Sequence, residues 1–258
     1  MTLVRSLAFH LALYVFTAVE AILGLPVLLM SRRAGARFGS AWAAAILKIC
    51  GWTIGLTHAV RGRENLPKGP AIIAMKHQSA WDTFAVAVIF DDPAIVLKQE
   101  LIWIPFYGWY LWKAGMISID RRAGALALRK LVAASKKAAA LGRPIVIFPE
   151  GTRTAPGTRR PYQPGVAALY RQLELPLVPV AVNSGVFWGR RRFLKRPGRI
   201  TVEILPPIPP GGDRHTVMAE LEARIETATA RLVAEAEAAL AARPAGASAG
   251  EQRRDARV

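Results

Sequence analysis

In the stretch AMKHQSAWDTF, residues 74–84, His77 and Asp82 stand five positions apart. A neutral imidazole takes a proton near pH 7, and a carboxylate on its second ring nitrogen fixes the tautomer and stabilises the imidazolium. The pair therefore has the makings of a general base. On one continuous helix the two side chains would point about 140° apart, at 3.6 residues per turn, so they meet only if the chain turns between them. A purely structural account of the same residues is equally open. Ser79 to Asp82 fits the Ser-x-x-acid capping box at a helix start, with His77 a loop residue.

The remaining chemistry-bearing residues narrow the choice. No GxSxG elbow supplies a serine nucleophile, so a base at His77 would act on a substrate hydroxyl, worth about 10²- to 10⁴-fold in rate. FPEGTR, residues 148–153, offers a carboxylate, a glycine, a hydroxyl and a guanidinium in succession. The Gly151 and Thr152 amides together with Arg153 suit a phosphate, although such a sequence alone is also an ordinary turn. GMISIDRR, residues 115–122, ends an apolar run with Asp120, Arg121 and Arg122. The single cysteine, Cys50, lies in an apolar run, excludes an intrachain disulfide and suits a cytosol-facing domain. The four histidines are scattered and no HExxH is present, so a metal site has no support.

These residues need elements to position them. Residues 71–75, 94–98, 115–119, 144–148, 178–182 and 200–205 are short, apolar and rich in β-branched side chains, which predicts buried strands. Helical spacing lies between them, at 123–141 and 166–173. After the PPIPPGGD break, Met218, Leu221, Ile225, Ala228 and Leu232 repeat at the interval of a long amphipathic helix. Strands alternating with helices predict an α/β domain with a largely parallel central sheet flanked by helices, whose chemistry gathers at strand ends. His77 then falls at a strand exit and Asp82 in the first turn of the next helix.

The N-terminal part differs in character. Residues 7–30 are nearly unbroken apolar sequence. As a helix they would span about 36 Å, against a hydrocarbon core of about 30 Å. A second apolar stretch covers 38–56, and SRRAGAR stands between the two. The first run is too long for a cleavable signal peptide and is followed by arginines. If both segments spanned, that arginine loop would face away from the cytoplasm whenever the main domain faces in, against the positive-inside tendency. The expectation is a two-helix hairpin anchor embedded in the cytoplasmic leaflet over residues 1–56, the alternatives being a first helix that spans alone with the second on the interface, or two buried core helices, with an α/β domain at 57–240 and a disordered tail at 241–258.

A net charge of +17 points to an anionic partner or surface. FWGRRRFLKRPGR, residues 187–199, suits a membrane surface or an acidic carrier protein, and APGTRRPYQPG, residues 155–165, reads as a flap from its proline and glycine content.

Taken together, HQSAWD, GMISIDR, FPEGTR and the strand VPVAV with Pro179 resemble, in order, the four motifs of the glycerolipid acyltransferase family, over roughly residues 57–210. Within that family the chain is similar to the bacterial 1-acyl-sn-glycerol-3-phosphate acyltransferases, whose N-terminal helical pair the apolar front also resembles. The resemblance implies that His77 deprotonates the free hydroxyl of a lysophosphatidic acid, which attacks the thioester of an acyl carrier protein or coenzyme A, and that Asp82 orients His77. It places Arg121, Gly151, Thr152 and Arg153 around the acceptor phosphate, with Glu150 organising that loop and Lys98 near the same phosphate. It requires no metal or cofactor beyond the thioester co-substrate. It also implies an inner-membrane location facing the cytoplasm, an anionic membrane surface as partner, and no nucleic acid. Glycerol-3-phosphate, another lysophospholipid or a lyso-ornithine lipid remain alternative acceptors. A non-catalytic binder of anionic lipid or nucleic acid, or a lipid hydrolase, would be the readings from other classes.

Overall fold

The structure, a computed structural model, describes residues 2–242. The expectation of a disordered tail falls, from residue 243 on, outside the described residues.

Seven strands form one sheet in the order β1-β7-β6-β2-β5-β3-β4. They are β1 (Leu56–Arg61), β2 (Ile72–Met75), β3 (Ala94–Lys98), β4 (Ile117–Ile119), β5 (Ile145–Ile147), β6 (Leu177–Val182) and β7 (Gly198–Ile204). All neighbouring pairs are parallel except β6 and β7. Six strands lie where the apolar runs predict them. The seventh, β1, has the sequence LTHAVR and is half exposed at the sheet edge, so it lacks the continuous apolar run of a strand buried on both faces.

The central strands show that run. In β2 every residue is buried. Ile73 and Met75 enter the core on one face of the sheet and Ile72 and Ala74 the core on the other, as the two-residue period of a strand requires. The first core is closed by α1 (Thr2–Leu23), α2 (Arg32–Ile54) and α3 (Trp81–Ile89). The second is closed by α5 (Gly124–Ala140), α6 (Pro164–Leu173) and α8 (Arg214–Ala241). Two short helices, α4 (Tyr107–Lys113) and α7 (Ser184–Phe187), lie in connections. The long helix α8 starts on an Asp213 cap that accepts the Thr216 amide at 2.9 Å, and buries Leu221, Ile225, Ala228 and Leu232 at the predicted spacing.

The N-terminal pair departs from expectation in two respects. SRRAGAR is not an inter-helix loop. Ser31 caps α2, so Arg32, Arg33 and Arg37 belong to its first turns, and the connection is the 3-10 turn Leu25–Leu29. Arg32 forms a forked pair with Asp92 at 2.8 and 2.6 Å, which ties this end of α2 to the α/β body. Further along, Ile46, Cys50 and Ile54 are buried with α3 residues Ala85, Val86 and Ile89. Helix α2 is thus part of the core. Among the described residues, one helix, α1, is long and apolar enough to cross a membrane. Even α1 has an inward side: Ser6 and Phe9 are buried, while Leu3, Leu7, Leu11, Val15 and Ile22 are exposed.

The five strands β2 to β6 run parallel, so their C-terminal ends share one edge. His77 follows β2, Lys98 ends β3, Arg121 follows β4, and Phe148 to Arg153 follow β5. Sheet topology alone therefore gathers the residues that the motifs single out.

Candidate active site

The chain leaves β2, turns over residues 76–80 and enters α3 at Trp81. That turn brings His77 Nδ1 to 2.8 Å from Asp82 Oδ2. The same oxygen accepts the amides of Gln78 and Ser79, each at 2.8 Å, and Ser79 Oγ accepts the Trp81 amide at 3.1 Å. Asp82 therefore contacts the helix start and the imidazole at once. Its carboxylate satisfies amides at the entry to α3 and holds the imidazole, and it is fully buried while doing so. Phe148 stacks on the imidazole with centroids 4.0 Å apart, limiting its rotation. With Nδ1 engaged by Asp82, Nε2 is the ring nitrogen available as a base. His77 lines a cavity of about 990 Å³.

Lys98, Arg121, Gly151, Thr152 and Arg153 line the same cavity, as do Arg190 and Arg191. Among the described residues none of these five cations forms a salt bridge. Burial lowers the Arg121 guanidinium from its ordinary value, against the opposing pull of Glu100. A group of unpaired cations in a partly dehydrated pocket attracts an anion strongly. Apolar walls complete the space, among them Phe38, Trp42, Tyr107, Leu111, Ala127 and Leu131.

One expectation changes. The Gly151 amide is not free for a phosphate, because it donates to Phe148 O at 2.9 Å inside its own turn. Gly151 is needed for shape: its φ is +68°, and a Cβ would come within 3.1 Å of Gln163 Cγ and 3.3 Å of Arg121 Nη1. Its carbonyl accepts from Arg121, which leaves the Thr152 amide and the Arg153 side chain as this turn's donors. Glu150, expected to organise this loop, does not itself line the cavity. It is buried behind it, accepting the His77 amide at 3.1 Å and the Thr154 hydroxyl, and pairing with Lys76 at 2.7 Å.

That buried cluster contains residues the sequence did not mark as functional. Lys76 Nζ also lies 2.7 Å from Glu226 of α8, and Tyr162 donates its hydroxyl to Glu226 at 3.1 Å. Burial and the neighbouring Glu226 and Glu150 carboxylates push the Tyr162 hydroxyl far above its usual value, so it remains a donor. Tyr162 and the Gln163 amide, which donates to Pro149 O at 2.7 Å, pin the end of the segment read as a flap. The available signal was Lys76 itself, a charge directly after a fully buried strand, where an unpaired ammonium would be costly.

The Acyltransferase family profile matches residues 58–183. A 1-acyl-sn-glycerol-3-phosphate acyltransferase of Pseudomonas aeruginosa is 38% identical over 181 residues, covering 70% of this chain and 70% of that protein. The enzyme of the same name from Saccharomyces cerevisiae is 34% identical over 159 residues, covering 60% of this chain and 52% of that one. The crystal structure of the Thermotoga maritima 1-acyl-sn-glycerophosphate (LPA) acyltransferase, PlsC, superposes with a TM-score of 0.75 over 95% of this chain and 100% of that chain, at 22% identity. That likeness establishes the fold, and sequence identity establishes the kinship. With a histidine held by a buried aspartate at the edge of a cation-lined, apolar cavity, the chain belongs to the acyltransferase family that includes the 1-acyl-sn-glycerol-3-phosphate acyltransferases.

Proposed function

We propose that the protein transfers a fatty acyl group from an acyl thioester to the sn-2 hydroxyl of 1-acyl-sn-glycerol-3-phosphate, giving phosphatidic acid. The observation that carries this reading is the 2.8 Å contact between His77 and Asp82 beside five cations in one cavity. Asp82 keeps the proton on Nδ1, and Nε2 accepts the proton of the acceptor hydroxyl as its oxygen attacks the thioester carbonyl. The tetrahedral intermediate expels the thiolate, which takes the proton back from the imidazolium. Lys98, Arg121, the Thr152 amide and Arg153 hold the acceptor phosphate, and Gly151 and Glu150 shape the loop that presents them. The apolar walls take acyl chains. Alignment of an alcohol with an already activated thioester supplies much of the acceleration, and nothing beyond the thioester, from an acyl carrier protein or coenzyme A, enters the scheme.

The substrate class asks for a site at the membrane surface, and the N-terminal pair supports that. Ser6 accepts the Lys195 amide at 3.0 Å, Trp42 of α2 donates to Thr17 at 3.3 Å, and Tyr110 donates to Ala21 O at 2.8 Å. Helix α1 is thus strapped to the body over most of its length, whereas a spanning helix would leave the body behind. We infer that α1 embeds its outward stripe in one leaflet, with α2 as its base. This two-helix anchor sits on the cytoplasmic face of the inner membrane, where Arg190, Arg191 and their basic neighbours meet anionic headgroups, each worth up to about 1 kcal/mol.

The test is a panel of acceptors with labelled acyl thioesters. Esterification of 1-acyl-sn-glycerol-3-phosphate supports the assignment. Turnover confined to glycerol-3-phosphate, a lysophospholipid with a larger headgroup or a lyso-ornithine lipid contradicts it, as does release of free fatty acid without an acceptor.

A further inference from the structure

The connection between β3 and β4 carries large apolar side chains that are exposed among the described residues. Trp103 and Trp112 are each 74% exposed, Trp109 47% and Ile104 44%. These three tryptophans, of the chain's seven, fall within ten residues of sequence. The segment is nevertheless built to one shape. Gly108 packs so closely on the 3-10 turn Gln99–Trp103 and its exit that a Cβ there would lie 1.9 Å from Ile102 O. Phe106 holds a φ of +61°, sparsely populated for a bulky residue. An ordered segment that leaves three indoles outward has a reason to do so other than looseness.

Its neighbours suggest the reason. Tyr110 bonds the α1 backbone at Ala21 and packs on Phe38 with centroids 5.1 Å apart. Helix α4 also touches the 3-10 turn that follows α1, whose last residue, Leu29, is 92% exposed. The segment that carries the exposed indoles therefore adjoins the C-terminal end of α1 and the turn that follows it. On its inner side the same segment contributes Leu101, Phe106, Tyr107, Tyr110 and Leu111 to the cavity that contains His77.

We propose that this tryptophan-bearing segment is a second lipid-contacting surface, distinct from α1, that seats the cavity mouth against the bilayer. Tryptophan is enriched at the membrane–water interface, where an apolar ring with one polar N–H fits best. An exposed apolar patch on a segment joined to the end of an outward-facing apolar helix fits a lipid surface better than a folded partner. Resting on the acyltransferase reading above, the segment then gives acyl chains a path from bilayer to His77 that avoids water.

The test uses the full chain with phosphatidylcholine–phosphatidylglycerol vesicles whose acyl chains carry bromine, which quenches nearby indoles. The expected result is marked quenching of the wild type, most of which disappears in Trp103→Phe/Trp112→Phe, together with protection of those two indoles from aqueous acrylamide on adding vesicles. Quenching that is unchanged in the double variant overturns the proposal. So does concentration-dependent protection from acrylamide without vesicles, which would assign the patch to a second copy of the chain. Neither readout requires turnover, so an error in the acceptor assignment leaves the test intact. A second variant, Trp103→Ser/Trp112→Ser, is expected to raise the apparent KM for a vesicle-borne acceptor about tenfold and to leave turnover of a short-chain, water-soluble acceptor unchanged. Neither indole lines the cavity. Equal activity of variant and wild type on vesicles would contradict the proposal.

Discussion

Lys76 Nζ lies 2.7 Å from Glu226, a residue 150 positions later in the chain. Lys76 directly precedes His77, and its second carboxylate partner, Glu150, accepts the His77 amide. Helix α8 therefore reaches the end of β2 next to His77 through one ammonium. A buried ion pair adds little net stability, but removing one partner leaves an uncompensated charge, at a cost of about 3–5 kcal/mol. Lys76→Met is expected to lower the thermal midpoint by several degrees, and Lys76→Met/Glu226→Leu to recover part of that loss. Unfolding curves that superpose on the wild type would contradict the role given to the cluster. Glu226→Gln is expected to lower kcat with little change in acceptor KM, because Glu226 does not line the cavity.

Asp82 performs two tasks, and substitutions separate them. Asp82→Asn keeps the volume and an acceptor for the helix start but no longer enforces the proton on Nδ1. Turnover should fall by at least about 10²-fold with modest loss of stability. Asp82→Ala removes the acceptor for the Gln78 and Ser79 amides as well, and should cost about 1 kcal/mol or more in addition, the scale of a lost helix cap. Denaturant titrations of both variants beside their initial rates check this. Equal stability of the two would place the amide contacts outside the folding balance.

Much of this site was legible because its residues are contiguous. A strand, a turn and a helix start occupy positions 72–83, and their types alone fix where His77 sits. The parallel sheet then does the assembly, since successive strand exits must share an edge. What was hidden was pairing over distance. Glu226 lies in a helix rich in other acids, and nothing local separates it from a solvated one. Arg32 looked like part of an exposed basic loop because its partner, Asp92, is 60 positions away. Strand β1 was missed because an edge strand buries only part of its surface, and His58 and Thr57 break its apolar pattern.

The conformation of Gly151 makes its own prediction. Gly151→Ala must hold a left-handed φ, costing roughly 1–2 kcal/mol, and its methyl would press on Arg121 and Gln163. Acceptor KM should rise by more than the change in kcat, since Arg121 is displaced and His77 is not. Arg121→Ala should show the same pattern. A variant altered in kcat alone would remove this turn from acceptor binding.

Cys50 reports on the integrity of the α2 core. Burial is the largest influence on its thiol and pushes it up to about 12. A disulfide reagent at pH 8 should leave the folded protein unmodified and label it on unfolding. The sign of the pH effect follows. The unfolded thiol ionises near its ordinary 9.0 and the folded one near 12, so the unfolded state loses its proton first, and this contribution to stability is lost as pH rises through that interval. Rapid labelling of the native protein would show that α2 leaves the body.

The most direct test of the account is the initial rate of labelled acyl transfer to 1-acyl-sn-glycerol-3-phosphate in vesicles by His77→Ala beside the wild type, with thermal unfolding of both. A rate lower by about 10²- to 10⁴-fold, at an unfolding midpoint close to that of the wild type, is the predicted result. A rate within a few-fold of the wild type in a folded variant would contradict it.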